Sequence, residues 1–577
     1  LSCALFAHRT NSYEAAIRLA ARNAIRGFPW LAPFPLCFPL PKEKEDIDMG
    51  KREIFVLLLT TVLLVGPVFW QARNLTFRLN TDYDTVLPIF HYVVRSVREG
   101  RGFPLRNPYI GTGVSVIGEP LSAILNPLLA VPILALGVEQ GLRLTFALVV
   151  FASGVSMWVF LMTLGVKGPA RLWGAVLYQT SGALSGRMPP GQIETVLAYP
   201  LIPLFFSTLV VPVMKRRQLL NASLAAALVV FSGDFYTLWF LSIFFAVTKI
   251  YYLVTRQQTL MRAAMESFVV FVLFLIFSSV KLVPFLFEVL PNIERFRIIN
   301  PYLGSIHAFL SFLPFMVPYR IGFYDRPIFR WIFGFHYNWY EYYAFISMLP
   351  LLFLIKIKSV VSQKYTMLLL VLLGIGVLYS ALKYPYSPFY WLFHWVPAFG
   401  TFRVPQRIFT PMTTILIGLL AICAERWLHT KKSLGEKNII IGIFILSVIW
   451  VGTVGWQTLL MSFEPPRTAE AHLVRTLREK DQGVFFVAAF SCCMQTFLVS
   501  EGIPILNYYY GWRLKGMPNF TAADGEQSDF SELRTMRPTY IIAPKAMDFA
   551  LYSYRQFIEE GNNMVWKTET PNIFPTL

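Results

Sequence analysis

Long apolar runs constrain this chain more than any other feature. Several reach or exceed the ~18 residues that suggest a membrane-spanning helix, among them roughly 53–70, 143–164 and 407–424. Charged residues make up only 15% of 577 positions and mean hydropathy is +0.52, whereas a soluble protein averages about 25% charged. The pattern is that of an all-α polytopic membrane protein. A transmembrane barrel would show short alternating strands instead.

Hydropathy places spans at roughly 53–70, 143–164, 171–186, 193–213, 219–232, 237–254, 265–288, 341–355, 365–383, 407–424 and 438–457, about eleven in all. Residues 119–137 are apolar but broken by Pro120, Pro127 and Pro132, and read as a juxtamembrane or re-entrant piece. Alternate loops then hold sixteen Lys and Arg residues against only Glu425 and Glu436. That bias marks cytoplasmic loops. The formal net charge of +18 would point to nucleic acid in a soluble protein. Clustered between spans, it fits topology and anionic lipid instead, and no nucleic-acid partner is expected. The remaining loops, 72–142, 187–192, 233–236, 289–340 and 384–406, include the long, aromatic, Pro-rich ones. The expected working face is extracytoplasmic, in a multi-pass plasma-membrane protein with its N-terminus in the cytoplasm.

Residues 1–48 fit poorly with the rest. They are Arg-dotted, then Pro-rich, then acidic, and Met49-Gly50-Lys51-Arg52 has the character of a membrane-protein start. They read as a non-native or disordered extension, or as a short interfacial segment. Residues 49–464 form the transmembrane domain, and 465–577 read as a small extracytoplasmic α/β domain. There, VFFVAAF, PTYIIAP and NMVWKTE look like strands, and LVRTLREK and DFALYSYRQFIEEG like amphipathic helices. Five cysteines make neither a disulfide framework nor a zinc spacing.

Asp82 and Asp84 stand just after the first span, before a helical segment and a Gly-, Pro- and Asn-rich loop. Carboxylates at headgroup level can bind a metal or take a proton from a hydroxyl. They can also simply mark the end of a helix in water.

Four passages carry a family resemblance. Asp84 is followed by REGRGFPLRNPYIGTGVSVIGEP; LYQTSGALSGRMPPGQIETVLAYPLIPL occupies 177–204; VPAFGTFRVPQR occupies 396–407; LRTMRPTYIIAP and VWKTETPNIFPTL lie near the end. In this order they resemble the YfhO-like bacterial membrane proteins, within the GT-C superfamily of lipid-linked-sugar glycosyltransferases. The resemblance implies transfer of a sugar from a polyprenyl-phosphate carrier to a glycan, lipid or protein acceptor of the envelope, with inversion. It implies that an acid in the first outer loop acts as base or helps hold a divalent cation (Mg or Mn). By position these acids are Asp82 and Asp84, with Asp84 closer to the family's acid.

Arg403 and Arg407 flank an outer span boundary, where a guanidinium fork can grip a carrier phosphate or snorkel to headgroups. Arg187 and Glu194 bracket a tight outer turn, and Glu194 also suits the dipole of the helix it opens. Asp234, in a very short outer turn, is placed to line a cavity. Lys281 and Glu288, seven residues apart within one span, read as a pair facing the protein interior, as structural ion-pairing or as part of the pocket. Histidines show no ligand spacing. Two rival classes remain: a lipid-linked saccharide transporter or flippase, which calls for symmetric halves that are not evident, and a non-catalytic envelope-assembly scaffold.

Overall fold

The computed structural model describes residues 49–79, 81–110, 113–292, 313–316, 339–341, 343–363, 365–381, 387–395, 404–430, 433–482, 487–489, 494–505, 539–544, 554–560 and 563–568. The segment 1–48, Arg403, His307 and His336 lie outside them.

The first span is α1 (Lys51–Gln71), which leads through a 3-10 turn to a short strand, β1 (Thr76–Phe77). Next come α2 (Tyr83–Arg98) and the antiparallel pair β2 (Arg106–Asn107) and β3 (Val114–Ser115). The Pro-broken piece forms α3 (Pro127–Leu136): Asn126 caps it by accepting from the Leu128 N–H at 2.9 Å, and Pro127 suits its first turn. The bundle continues with α4 (Val138–Thr163), α5 (Gly168–Thr180), α6 (Gly182–Ser185), α7 (Ile193–Ala198), α8 (Leu201–Leu209), α9 (Arg216–Ser232), α10 (Phe235–Val254), α11 (Leu260–Pro284), α12 (Thr366–Ser380), α13 (Phe409–Thr430) and α14 (Leu434–Leu460).

Among the described residues, six helical stretches are long and apolar enough to cross a membrane: 51–74, 138–163, 235–254, 260–289, 405–430 and 435–460. Their burial differs sharply. The most apolar window of the stretch containing α13 is 94% buried inside the protein, that of the stretch containing α11 only 17%. α13 is therefore the axis of the bundle, and α11 a rim helix on which Phe268, Phe271 and Ile276 are exposed. Small residues allow the close approach. A Cβ on Gly418 would lie 3.0 Å from Phe160 of α4, and one on Gly174 of α5 would lie 3.4 Å from Ala421.

The run 341–355 is not a continuous α-helix. Trp339–Glu341 is a 3-10 turn, residues 343–347 have no regular structure, and a second 3-10 stretch spans Pro350–Lys356. In the irregular part the backbone bonds to neighbours: Gly182 N–H donates to Phe345 O at 2.8 Å, and Ile346 N–H to Phe315 O at 2.8 Å. Lys281 and Glu288 do not pair either. A π-helical turn, Phe285–Val289, shifts the helical phase between them. Lys281 is buried and Glu288 exposed, 3.7 Å from Arg106.

After α14, strand β4 (Phe463–Glu464) pairs antiparallel with β1, Thr76 opposite Glu464. Arg143 of α4 braces this junction. It donates to Ala72 O at 3.1 Å and Leu75 O at 2.7 Å, with its guanidinium 4.9 Å from the Phe463 ring centroid. Then follow α15 (Thr468–Lys480), β5 (Val487–Ala489), α16 (Met494–Ser500), β6 (Tyr540–Pro544), β7 (Tyr554–Glu560) and β8 (Asn563–Thr568). The sheet runs β5-β6-β8-β7, with β5 and β6 parallel and the other pairs antiparallel. The three expected strands are present. The helix expected over DFALYSYRQFIEEG is not: residues 554–560 of it form β7, paired along β8. Only Gly561-Asn562 separates the two strands, the spacing and composition of a tight hairpin.

Candidate active site

The turn Met188–Gln192 joins the head of α2 to the bundle. Asp82 N–H donates to Pro190 O at 2.8 Å, and the buried Tyr83 hydroxyl donates to Met188 O at 2.7 Å. Burial holds the Tyr83 phenol well above its ordinary range. Gly191 is required here: its φ is +79°, and a Cβ would lie 2.5 Å from the Tyr83 nitrogen. Asp82 occupies the N-cap of α2, but its side chain makes no cap hydrogen bond. The half-buried carboxylate is instead within electrostatic reach of Glu194.

Behind this turn lies a buried charge network built from four distant segments. Arg187 donates through Nη1 to Gln192 Oε1 at 2.8 Å and Glu341 Oε2 at 3.1 Å, and through Nη2 to Glu341 O at 2.9 Å. Gln192 Nε2 donates to Glu341 Oε1 at 3.1 Å. Arg407, in the 3-10 turn Pro405–Ile408 that leads into the axial helix α13, makes a fork to the same carboxylate. Its Nε lies 2.6 Å from Oε2 and its Nη2 2.9 Å from Oε1. Its Nη1 is 3.8 Å from Glu194 Oε1, and its guanidinium lies 4.6 Å from the Tyr236 ring centroid. Burial pushes the Glu341 carboxyl up, but Arg407 and Arg187 outweigh it and bring it down to about 2. For Arg187 burial lowers the pKa and outweighs the opposing pull of Glu341.

Asp234 caps α10, accepting from the Thr237 N–H at 2.9 Å and its hydroxyl at 2.6 Å. Its charge still reaches Arg187 and Glu194. Lys281 lies on the same side, donating to Pro120 O and Ser122 O, with Glu119 and Glu194 within electrostatic reach.

Of the residues singled out in the sequence, Asp82, Arg187, Glu194, Asp234 and Arg407 thus belong to one cluster. Asp84 is directed elsewhere: its Oδ1 accepts from the Thr496 hydroxyl at 2.8 Å. Glu341 and Gln192 were not recognised in the sequence. The available signal was an acid inside an aromatic run, Tyr340-Glu341-Tyr342, at the edge of an apolar stretch. Among the described residues no group of three or more His, Cys, Asp or Glu side chains is arranged to hold a metal ion. Asp82 and Asp84 have different neighbours: the Asp82 charge acts on Glu194, and Asp84 accepts from Thr496.

No family model and no curated protein matches the chain. Solved structures do. The arabinofuranosyltransferase AftD from Mycobacteria superimposes with a TM-score of 0.53 at 12% identity, over 90% of this chain and 40% of AftD. ArnT from Cupriavidus metallidurans in the apo state gives 0.52 at 12%, over 89% of this chain and 97% of ArnT. The same protein bound to undecaprenyl phosphate gives 0.50 at 13%, with the same coverage. The chain has the fold of GT-C glycosyltransferases. It spans less than half the length of AftD and nearly all of ArnT. At this identity the likeness is one of architecture.

Proposed function

We propose that this chain is a membrane glycosyltransferase, YfhO-like within the GT-C superfamily. In this reading it moves a sugar from a polyprenyl-phosphate carrier to a glycan, lipid or protein acceptor at the extracytoplasmic face of the plasma membrane. The observation that carries this reading is Asp82: a half-buried carboxylate at the head of α2, beside a buried acid–arginine network, in an ArnT-like fold. ArnT has been seen with undecaprenyl phosphate bound, which supports a lipid-linked donor here.

In the proposed step Asp82 takes the proton of an acceptor hydroxyl. The hydroxyl oxygen bonds to the anomeric carbon from the face opposite the carrier. The bond from that carbon to the carrier phosphate breaks, its electron pair leaves on the phosphate, and configuration inverts. Arg407 supplies positive charge toward the phosphate through Nη1, which lies 3.8 Å from Glu194 Oε1, while Nε and Nη2 are hydrogen-bonded to Glu341. Arg403 is proposed as its partner. No step is assigned to a metal. The test is transfer by the purified protein from polyprenyl-phosphate sugars: labelled product supports the reading, and movement of the intact lipid-linked saccharide without transfer would favour a flippase.

The proposed topology has eleven crossings, the N-terminus in the cytoplasm and 465–577 outside as an α/β domain. A cysteine introduced near residue 110 or 525 should react with a membrane-impermeant reagent in intact cells, and one near 433 should not. The reverse pattern would overturn the orientation.

A further inference from the structure

Resting on the reading of Asp82 as base, we propose that Thr496 is a positioning residue. Its hydroxyl, far along the chain, grips Asp84 and so fixes the first turn of α2, which carries Asp82.

Residues two apart on a helix point about 200° apart. Asp82 and Asp84 meet different surroundings: the Asp82 charge acts on Glu194, while Asp84 accepts from Thr496 in the C-terminal part of the chain. The Thr496–Asp84 hydrogen bond spans 412 residues of sequence. It belongs to a continuous seam. Arg95 on α2 donates to Ser500 O at 3.4 Å, and Ile505 N–H donates to Tyr109 O at 2.8 Å. Gly502, at φ +73°, sits so close to Arg95 that a Cβ would lie 2.6 Å from its Nη1. Arg467, itself 2.8 Å from Glu464, adds an attraction to the Asp84 charge. α16 thus lies along α2 as a splint, and Thr496 is its contact nearest the reacting end. A base displaced by 1 Å can cost about 10²-fold in rate, so a splint at this point matters more than its one hydrogen bond would suggest.

The experiment compares Thr496→Val, Thr496→Ser, Asp84→Asn and Asp82→Asn in the purified protein, with melting temperature and donor KM measured for each. Thr496→Val keeps the shape and loses the hydroxyl. It should lower kcat by roughly 10- to 100-fold with KM for the donor unchanged. Thr496→Ser should restore most of kcat. Asp84→Asn keeps Oδ1 as an acceptor and should stay within roughly 10-fold of the parent. Normal kcat in Thr496→Val, or a loss that only tracks the folded fraction, overturns the proposal. So does an Asp84→Asn variant as impaired as Asp82→Asn, since Asp84 would then act on the substrate directly. Normal transfer by Asp82→Asn is a separate failure: it removes the base assignment itself, whatever Thr496 does.

Discussion

Asp82→Asn is expected to lower sugar transfer by about 10²–10⁴-fold, the contribution general-base catalysis makes. Asparagine keeps the size of the side chain and removes its basicity. The main-chain bonds of the position survive: the N–H to Pro190 O at 2.8 Å, and the carbonyl that accepts from Thr85 and Val86 at 3.1 and 3.3 Å. The carboxylate makes no N-cap hydrogen bond, and asparagine keeps its shape and one acceptor oxygen, so the folded state should lose little. Losing the charge also relieves Glu194 of one like-charged neighbour. Turnover, donor KM and melting temperature measured together separate these effects. A variant with normal turnover would move the search for the base to Glu194. A variant that fails only because it is unfolded would make Asp82 structural.

Glu341→Gln is expected to cost about 3–5 kcal/mol of stability, the usual penalty for removing one partner of a buried ion pair. The carboxylate serves Arg187, Gln192 and Arg407 at once. Without it two buried guanidiniums face each other with no shared counter-charge, and an amide NH₂ would confront one of them. Thermal unfolding in detergent should show a large fall, with Glu341→Gln/Arg407→Gln less impaired than the sum of its single variants. The wild-type pair should be insensitive to mild acid. The folded carboxyl sits at about 2, below its ordinary value. Its contribution is therefore fully present above the unfolded pKa of about 4.3 and is lost only as pH falls toward 2. Unchanged melting in Glu341→Gln would mean the arginines are satisfied by other groups.

Much of the bundle could be read from the residues, because lipid imposes length and hydropathy on each span separately. Asp82, Arg187, Glu194, Asp234 and Arg407 were singled out for a related reason: charged groups at the ends of apolar segments stand out. What joins them did not. Glu341 meets Arg187 across 154 positions and Arg407 across 66, information held by packing rather than by local pattern. The choice between Asp82 and Asp84 depended on helical phase against neighbours that only the fold supplies. The interruption of the stretch 341–355 was not legible, because apolar composition does not show that its backbone would bond to Gly182 and Phe315. β7 was misread because tertiary pairing overrode a helical periodicity, with the Gly561-Asn562 turn signal unused.

The pairing of β1 with β4 also limits how many times the chain can cross the bilayer. It holds the last residues of α1 and of α14 at one end of the bundle, and so, in the proposed topology, at one side of the membrane. Both helices therefore traverse in the same sense, and the chain between them must return once more than it goes out. The total is then an odd number. The six long helices among the described residues cannot meet this alone, so the proposed topology calls for further crossings by shorter or interrupted pieces, such as α5 with α6, α7 with α8, α9, α12 or the stretch 341–355. Eleven crossings satisfy the rule; ten or twelve do not. Losing a single crossing anywhere between β1 and β4 would leave α16 on the opposite side of the membrane from α2.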